Sequence, residues 1–205
     1  MTLARRCGLA HACVMDDLRG LTVRTARPED AADLARIYIE SWQDTYAGVI
    51  SHALLSAMSL KAHTARWQAT IKAMDRHGAA VLVAEDANFG PLGLCSLGRA
   101  RDRGLGFEGE VYTLYVDPVF MGRGAGRALL CGAFEALKDR KLRSCLIWAH
   151  ARNNACFFYE AMGGRRVATR TTRLLGELTP EIGFGWKRLM ARRPERPIQS
   201  RSGQS

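Results

Sequence analysis

From Leu114 to Arg127 the chain reads Leu-Tyr-Val-Asp-Pro-Val-Phe-Met-Gly-Arg-Gly-Ala-Gly-Arg. An apolar strand-like run ends at Asp117-Pro118, a glycine-rich turn follows, and a helical pattern begins. The unpaired amides at a helix N-terminus favour anions, and glycines let a phosphate approach the main chain closely. Arg123 and Arg127 would add charge at the rim. Two familiar phosphate motifs fail here. The chain has no Gly-Lys pair, as a P-loop requires. A G-x-G-x-x-G/A dinucleotide fingerprint begun at Gly122 ends on Arg127, and one begun at Gly124 ends on Leu129. A G-x-G-x-G turn after a strand remains.

A second segment runs Asn153-Asn-Ala-Cys-Phe-Phe-Tyr-Glu-Ala-Met-Gly-Gly. Ala155, Phe158, Tyr159 and Met162 fall at i, i+3, i+4 and i+7, so periodicity alone makes Tyr159 part of an apolar stripe. Asn153 stands where a helix cap is expected. Glu110 opens the strand Glu110–Val116, and a period of two puts Glu110, Tyr112 and Leu114 on one face. His150 ends an apolar strand and reads as structural. Nothing in the sequence activates Cys156 as a nucleophile.

The elements that position these residues follow from pattern. Leu21–Arg24 is a short strand. Pro28, Glu29 and Asp30 then open a helix with Ala31, Leu34, Tyr38 and Trp42 on its apolar face. A helical region from His52 to about Arg76 divides into two pieces. Strands are expected over Ala79–Glu85 and Leu92–Ala100, with a turn at Asn88–Pro91 and a flexible loop over Asp102–Gly109. After the Gly122–Gly126 turn, Leu129, Leu130, Ala133 and Leu137 form the buried stripe of a helix. Ser144–His150 is a fully apolar strand. Gly163-Gly164 stops the helix begun near Asn153. Val167–Leu175 and Ile182–Leu189 form a last strand pair around Gly176–Pro180. The order predicts an α/β fold, a mixed sheet flanked by helices. Residues 1–20 are expected to be a flexible leader, within which 1–14 precede an alternative start at Met15. Residues 21–190 are the domain, and 191–205 a basic disordered tail.

The chain has 205 residues, 47% of them apolar and 24% charged, an ordinary composition for a globular domain. No apolar run reaches the roughly 20 residues of a membrane span, so no membrane partner is expected. Much of the net charge of +10 lies at the ends, where it aids solubility or attracts polyanions; nucleic acid is not expected as a partner. None of the six cysteines forms a Cys-x-x-Cys pair, which fits a reducing cytoplasm and argues against zinc.

Taken together, Met121-Gly-Arg-Gly124-Ala-Gly126, the Asn153–Gly163 segment and Glu40-Ser-Trp-Gln-Asp-Thr-Tyr-Ala-Gly resemble the GNAT superfamily of N-acetyltransferases. The first matches the family's Q/R-x-x-G-x-G/A signature except at Met121. The second matches N-x-A-x-x-F-Y-E-x-x-G, and the third is similar to a first-helix pattern of bacterial members. The resemblance spans about Leu21 to Leu189. It implies a largely antiparallel sheet with helices on both faces, acetyl-CoA as cosubstrate and no metal. It also implies direct attack of a primary amine, on a small molecule or a protein, on the thioester. The fourth and fifth strands would splay, with Leu114, Tyr115 and Val116 receiving the pantetheine arm and an N–H near Leu114 holding the oxyanion. Met121, Gly122, Arg123, Gly124, Ala125, Gly126, Arg127 and Asn153 would bind the coenzyme. Tyr159 would contact it and protonate the leaving thiolate, a transfer made feasible by reference pKa values of about 10 and about 8.5. Glu110 would be the base, and Trp42 and Tyr46 would cover the acceptor. The alternative is a non-catalytic acyl-CoA sensor or scaffold. A homodimer is left open.

Overall fold

The structure, a computed structural model, describes residues 20–74, 78–174 and 176–189. The expected leader, Gly20 apart, and the expected tail lie outside these. Seven strands form one sheet in the order β1-β2-β3-β4-β5-β7-β6. They are β1 (Leu21–Thr25), β2 (Ala80–Asp86), β3 (Gly90–Arg99), β4 (Gly109–Val116), β5 (Cys145–His150), β6 (Arg165–Leu174) and β7 (Glu177–Trp186). Every neighbouring pair is antiparallel except β4–β5. That parallel pair needs a crossover, which helix α4 (Ala125–Asp139) supplies.

Helices cover both faces. α1 (Ala31–Thr45) and α3 (Leu60–Ala73) bury Leu34, Ile37, Trp67 and Ile71 against Val81, Val83 and Leu94 on one side. α4 lays its expected stripe of Leu129, Leu130, Ala133 and Leu137 on the other, with α5 (Ala155–Ala161) beside it. The region after His52 does divide in two. Ser51 caps α2 (His52–Ser56) by accepting from the Leu54 amide, and Ser59 caps α3 through the Ala62 amide.

Two expectations change. The last hairpin is tighter than Gly176–Pro180 suggested: Leu174 pairs with Glu177, and Gly176 turns the chain at φ +92°. Of the residues expected to loop there, Glu177 to Pro180 belong to β7, which ends at Trp186.

The second change bears on the site. In β4, Thr113 faces Ser96 and Val111 faces Leu97, so Tyr112 is one residue too many, a β-bulge. Beyond it the alternation inverts. Glu110 and Tyr112 lie on the α1 face of the sheet, whereas Leu114 packs with Val111 on the α4 face. The expected sharing of a face by Glu110, Tyr112 and Leu114 therefore fails at Leu114.

Candidate active site

β4 and β5 pair only through Gly109–Cys145, Glu110–Leu146 and Val111–Ile147, then part. The opening leads into a cavity of about 1000 Å³ bounded by α1, the end of β4, the glycine loop and the start of α5. One edge of the opening is main chain. Asp117 N–H bonds Leu92 O, which fixes the parity of the β3–β4 ladder: Thr113 and Tyr115 bond to β3, while the amides and carbonyls of Leu114 and Val116 face the gap. The Val116 carbonyl accepts from Ser41 Oγ at 3.0 Å.

The glycine loop is built as an anion cradle. Gly122 and Gly124 have φ of +77° and +90°, the left-handed region where a side chain is strained. Gly124 is the N-cap of α4. The backbone amides from Gly122 through Arg127 have no acceptor among the described residues; the first paired amide is that of Ala128, on Gly124 O. A row of unpaired N–H groups at the positive end of a 15-residue helix suits a diphosphate. Met121 is exposed at its rim, and the Arg123 guanidinium stacks 5.2 Å from the Phe120 ring centre.

The loop is anchored by Asp117, buried at the end of β4. Its carboxylate caps the turn Pro118–Phe120 by accepting from the Val119 amide at 3.0 Å, and takes Arg36 Nη1 at 2.8 Å. On the far wall, Asn153 Oδ1 accepts from the Ala155 amide at 2.8 Å, from one residue ahead of the N-cap Asn154. Its amide N–H groups have no acceptor among the described residues.

Tyr159 lines the cavity but is otherwise enclosed by Phe158, Phe184 and Trp186. Its hydroxyl has no hydrogen-bond partner among the described residues, yet no fully buried side-chain oxygen there lacks one. The hydroxyl therefore opens to the cavity. Burial raises its pKa far above the ordinary tyrosine value, so it keeps its proton at neutral pH. Cys156 is buried with its pKa raised chiefly by desolvation, which leaves it a thiol.

Other residues do not join the site. Glu110 is buried and absent from the cavity wall; its carboxylate is held by the Arg101 amide at 2.9 Å, by Arg101 Nε at 3.0 Å and by Arg101 Nη2. Trp42 and Tyr46 sit behind the wall in a cluster with Ile50 and Leu55. Trp42 Nε1 donates to Tyr115 Oη at 2.9 Å. They fill the stripe that α1 needs to pack, so they support the wall without forming it. His150 is structural, as expected: Nδ1 accepts from the Arg152 amide at 3.2 Å, which leaves the ring proton on Nε2.

The sequence reading missed Ser41, Asp44 and Thr45, which give α1 its cavity-facing side, and Phe158 on α5. The i, i+3, i+4 spacing of Ser41, Asp44 and Thr45 was the available signal: a polar strip beside the apolar one.

The class these features define is matched by comparison. Residues 77–163 fit the family model for the acetyltransferase (GNAT) domain. The chain is 32% identical over 171 residues to the uncharacterized N-acetyltransferase YuaI of Bacillus subtilis (strain 168), covering 83% of this chain and 95% of that one. The chain belongs to the GNAT family of acetyltransferases. Among solved structures it is similar to the PaiA N-acetyltransferase of Thermoplasma acidophilum in complex with coenzyme A. There the TM-score is 0.60 and the identity 21%, over 79% of this chain and 97% of that one. It is similar also to the ribosomal-protein-alanine N-acetyltransferase of Brucella melitensis, with TM-score 0.62 and 24% identity over 80% and 98%. Among the described residues no helix is long and apolar enough to cross a membrane, and no cluster of side chains could hold a metal ion.

Proposed function

We propose that this protein transfers the acetyl group of acetyl-CoA to a primary amine of a small molecule or protein, by direct attack within a ternary complex. One observation carries the reading: the unpaired amides from Gly122 to Arg127 and the main-chain groups of Leu114 and Val116 that β3 leaves unbonded bound the same cavity. Family membership and the coenzyme A bound to the PaiA neighbour support it.

Acetyl-CoA supplies a thioester carbonyl open to attack by a neutral amine. The amides of Gly122–Arg127 receive the diphosphate, with Arg123 and Arg127 adding charge at the rim. Leu114 and Val116 bond the pantetheine arm as a neighbouring strand would, and Asn153 offers it a side-chain N–H. The Leu114 amide holds the negative charge that develops on the carbonyl oxygen. Tyr159 keeps a proton on Oη and delivers it to the departing sulfur. The C–N bond forms, the C–S bond breaks, the amine gives its proton to water, and Tyr159 is reprotonated from solvent. Glu110 takes no part in moving the amine's proton, because its carboxylate is committed to Arg101.

The test is to mix protein, acetyl-CoA and a panel of amines while following thiol release. Release that depends on the amine, with an N-acetyl product by mass spectrometry, is the expected result. Tight coenzyme binding with no release for any amine would leave a sensor instead.

A further inference from the structure

The acceptor must reach the gap from the α1 side of the sheet, since α4 and α5 cover the other face. On that side α1 packs over β3 and β4, while β5, β7 and β6 lie further along the sheet. Where β4 and β5 part, this open face carries two constructions of the same design. On the β4 side Arg101 stacks 4.8 Å from the Tyr112 ring centre and is bonded from behind by Glu110. On the β5 side Arg170 stacks 4.0 Å from the Trp148 ring centre and is bonded by Glu181, Nε to Oε2 at 2.7 Å.

The two rings form a floor because glycines make room for them. A Cβ at Gly98 would stand 2.5 Å from Tyr112 Oη, and one at Gly183 would stand 3.2 Å from the Trp148 ring. The floor is continuous with the gap. Glu110 belongs to the last residue pairs before the strands part, and Arg101 lies within electrostatic reach of Glu181 across the opening.

Exposure decides what such a face offers. The Arg101 side chain is 60% exposed and its carboxylate partner Glu110 only 2%; Arg170 is 39% exposed and Glu181 18%. A ligand meets guanidinium groups, with the carboxylates behind them. Each guanidinium has five N–H donors. Arg101 uses two of them on Glu110, and Arg170 uses one on Glu181. The carboxylates and rings therefore hold the arginines in place while leaving donors free for a carboxylate or a phosphate.

We infer that the acceptor carries an anionic group beside its amine, a carboxylate or a phosphate, held by Arg101 and Arg170 over the Tyr112–Trp148 floor. This rests on the proposed transfer reaction for its orientation, but its central claim is anion binding. Glu110 is thereby a positioning residue for Arg101.

The test separates the two claims. The full chain is first saturated with coenzyme A, so that the glycine loop cannot take a second anion. Succinate and inorganic phosphate are then titrated in separately by calorimetry, which also tells carboxylate from phosphate. One of them is expected to bind, with affinity falling tenfold or more in R101Q and in R170Q while coenzyme affinity stays within twofold. In parallel, kcat/KM is compared for glutamate, phosphoethanolamine, ethanolamine and spermidine. An anionic amine should lead by at least tenfold, and that ratio should collapse toward one in either variant, through KM more than kcat. Binding of neither anion to the loaded protein, or a preference for spermidine, would overturn the inference while leaving acetyl transfer intact. An anion preference that both variants retain would overturn it as well. Anion binding lost in the variants, without transfer to any amine, would sink the reaction and leave the site.

Discussion

The Arg36 guanidinium lies 2.8 Å from the buried carboxylate of Asp117, so helix α1 grips the turn from which the glycine loop departs. Arg36 also bonds Glu40 one turn further along α1. Asp117 is the better protected of the two partners and also caps the following turn.

Replacing Asp117 with Asn keeps the shape but removes the charge facing Arg36. The variant is expected to lose about 1–3 kcal/mol, the usual cost of disturbing a buried hydrogen-bonded group, in urea unfolding. Because the loop hangs from this residue, coenzyme A affinity should also fall about tenfold in calorimetry, as expected where one well-formed contact set is worth about 1.4 kcal/mol.

The glycines of the loop should differ in their tolerance. Gly124 sits at φ +90°, so Gly124→Ala is expected to cost about 1–2 kcal/mol in strain and to weaken coenzyme binding. Gly124→Glu should abolish that binding by adding bulk and negative charge. At Gly126 a Cβ would meet Phe158 and Val116 at an ordinary 3.7 Å, so Gly126→Ala should fold and bind as the parent does. Calorimetry on the three variants checks the order.

Tyr159→Phe removes a hydroxyl that has no partner among the described residues. Stability should hardly move, and coenzyme A affinity should stay within twofold. Turnover should fall roughly 100-fold or more, the range for loss of a general acid. Equal losses in affinity and turnover would make Tyr159 a packing residue.

Burial lowers the pKa of His150 below its ordinary value of 6.5, with Arg152 adding to the effect. The folded state thus favours the neutral ring, and below pH 6.5 the unfolded chain binds the extra proton. Stability from this source is complete above pH 6.5 and is lost as pH falls through the folded value. His63 is lowered in the same direction, chiefly by desolvation. Urea midpoints at pH 7.5, 6.5 and 5.5 should decline in that order. His150→Gln should flatten the decline without abolishing it, because His63 remains.

What the sequence disclosed was local. The glycine loop, the stripe of α4 and the Asn153 turn at the start of α5 each depend on residues within a few positions, so spacing alone located them. The bulge at Tyr112 was hidden because it is a property of two strands: only the register against β3, where Ser96 Oγ and Thr113 Oγ1 lie 2.6 Å apart, shows that β4 has a residue to spare. The same non-local effect moved Glu110. Four positions before Leu114 it read as a base at the cleft, yet a residue from the β3–β4 loop, Arg101, encloses it. Trp42 and Tyr46 are placed by packing instead. Their aromatic character suited a binding wall, but α1 needed that volume for its own packing.

The unpaired edge of β4 has an evolutionary implication. The atoms that β4 presents to the gap are peptide atoms, which every amino acid possesses, while Tyr112 and Tyr115 send their side chains to the opposite face. A lineage could therefore exchange side chains along this strand while the polar groups that line the gap stayed the same.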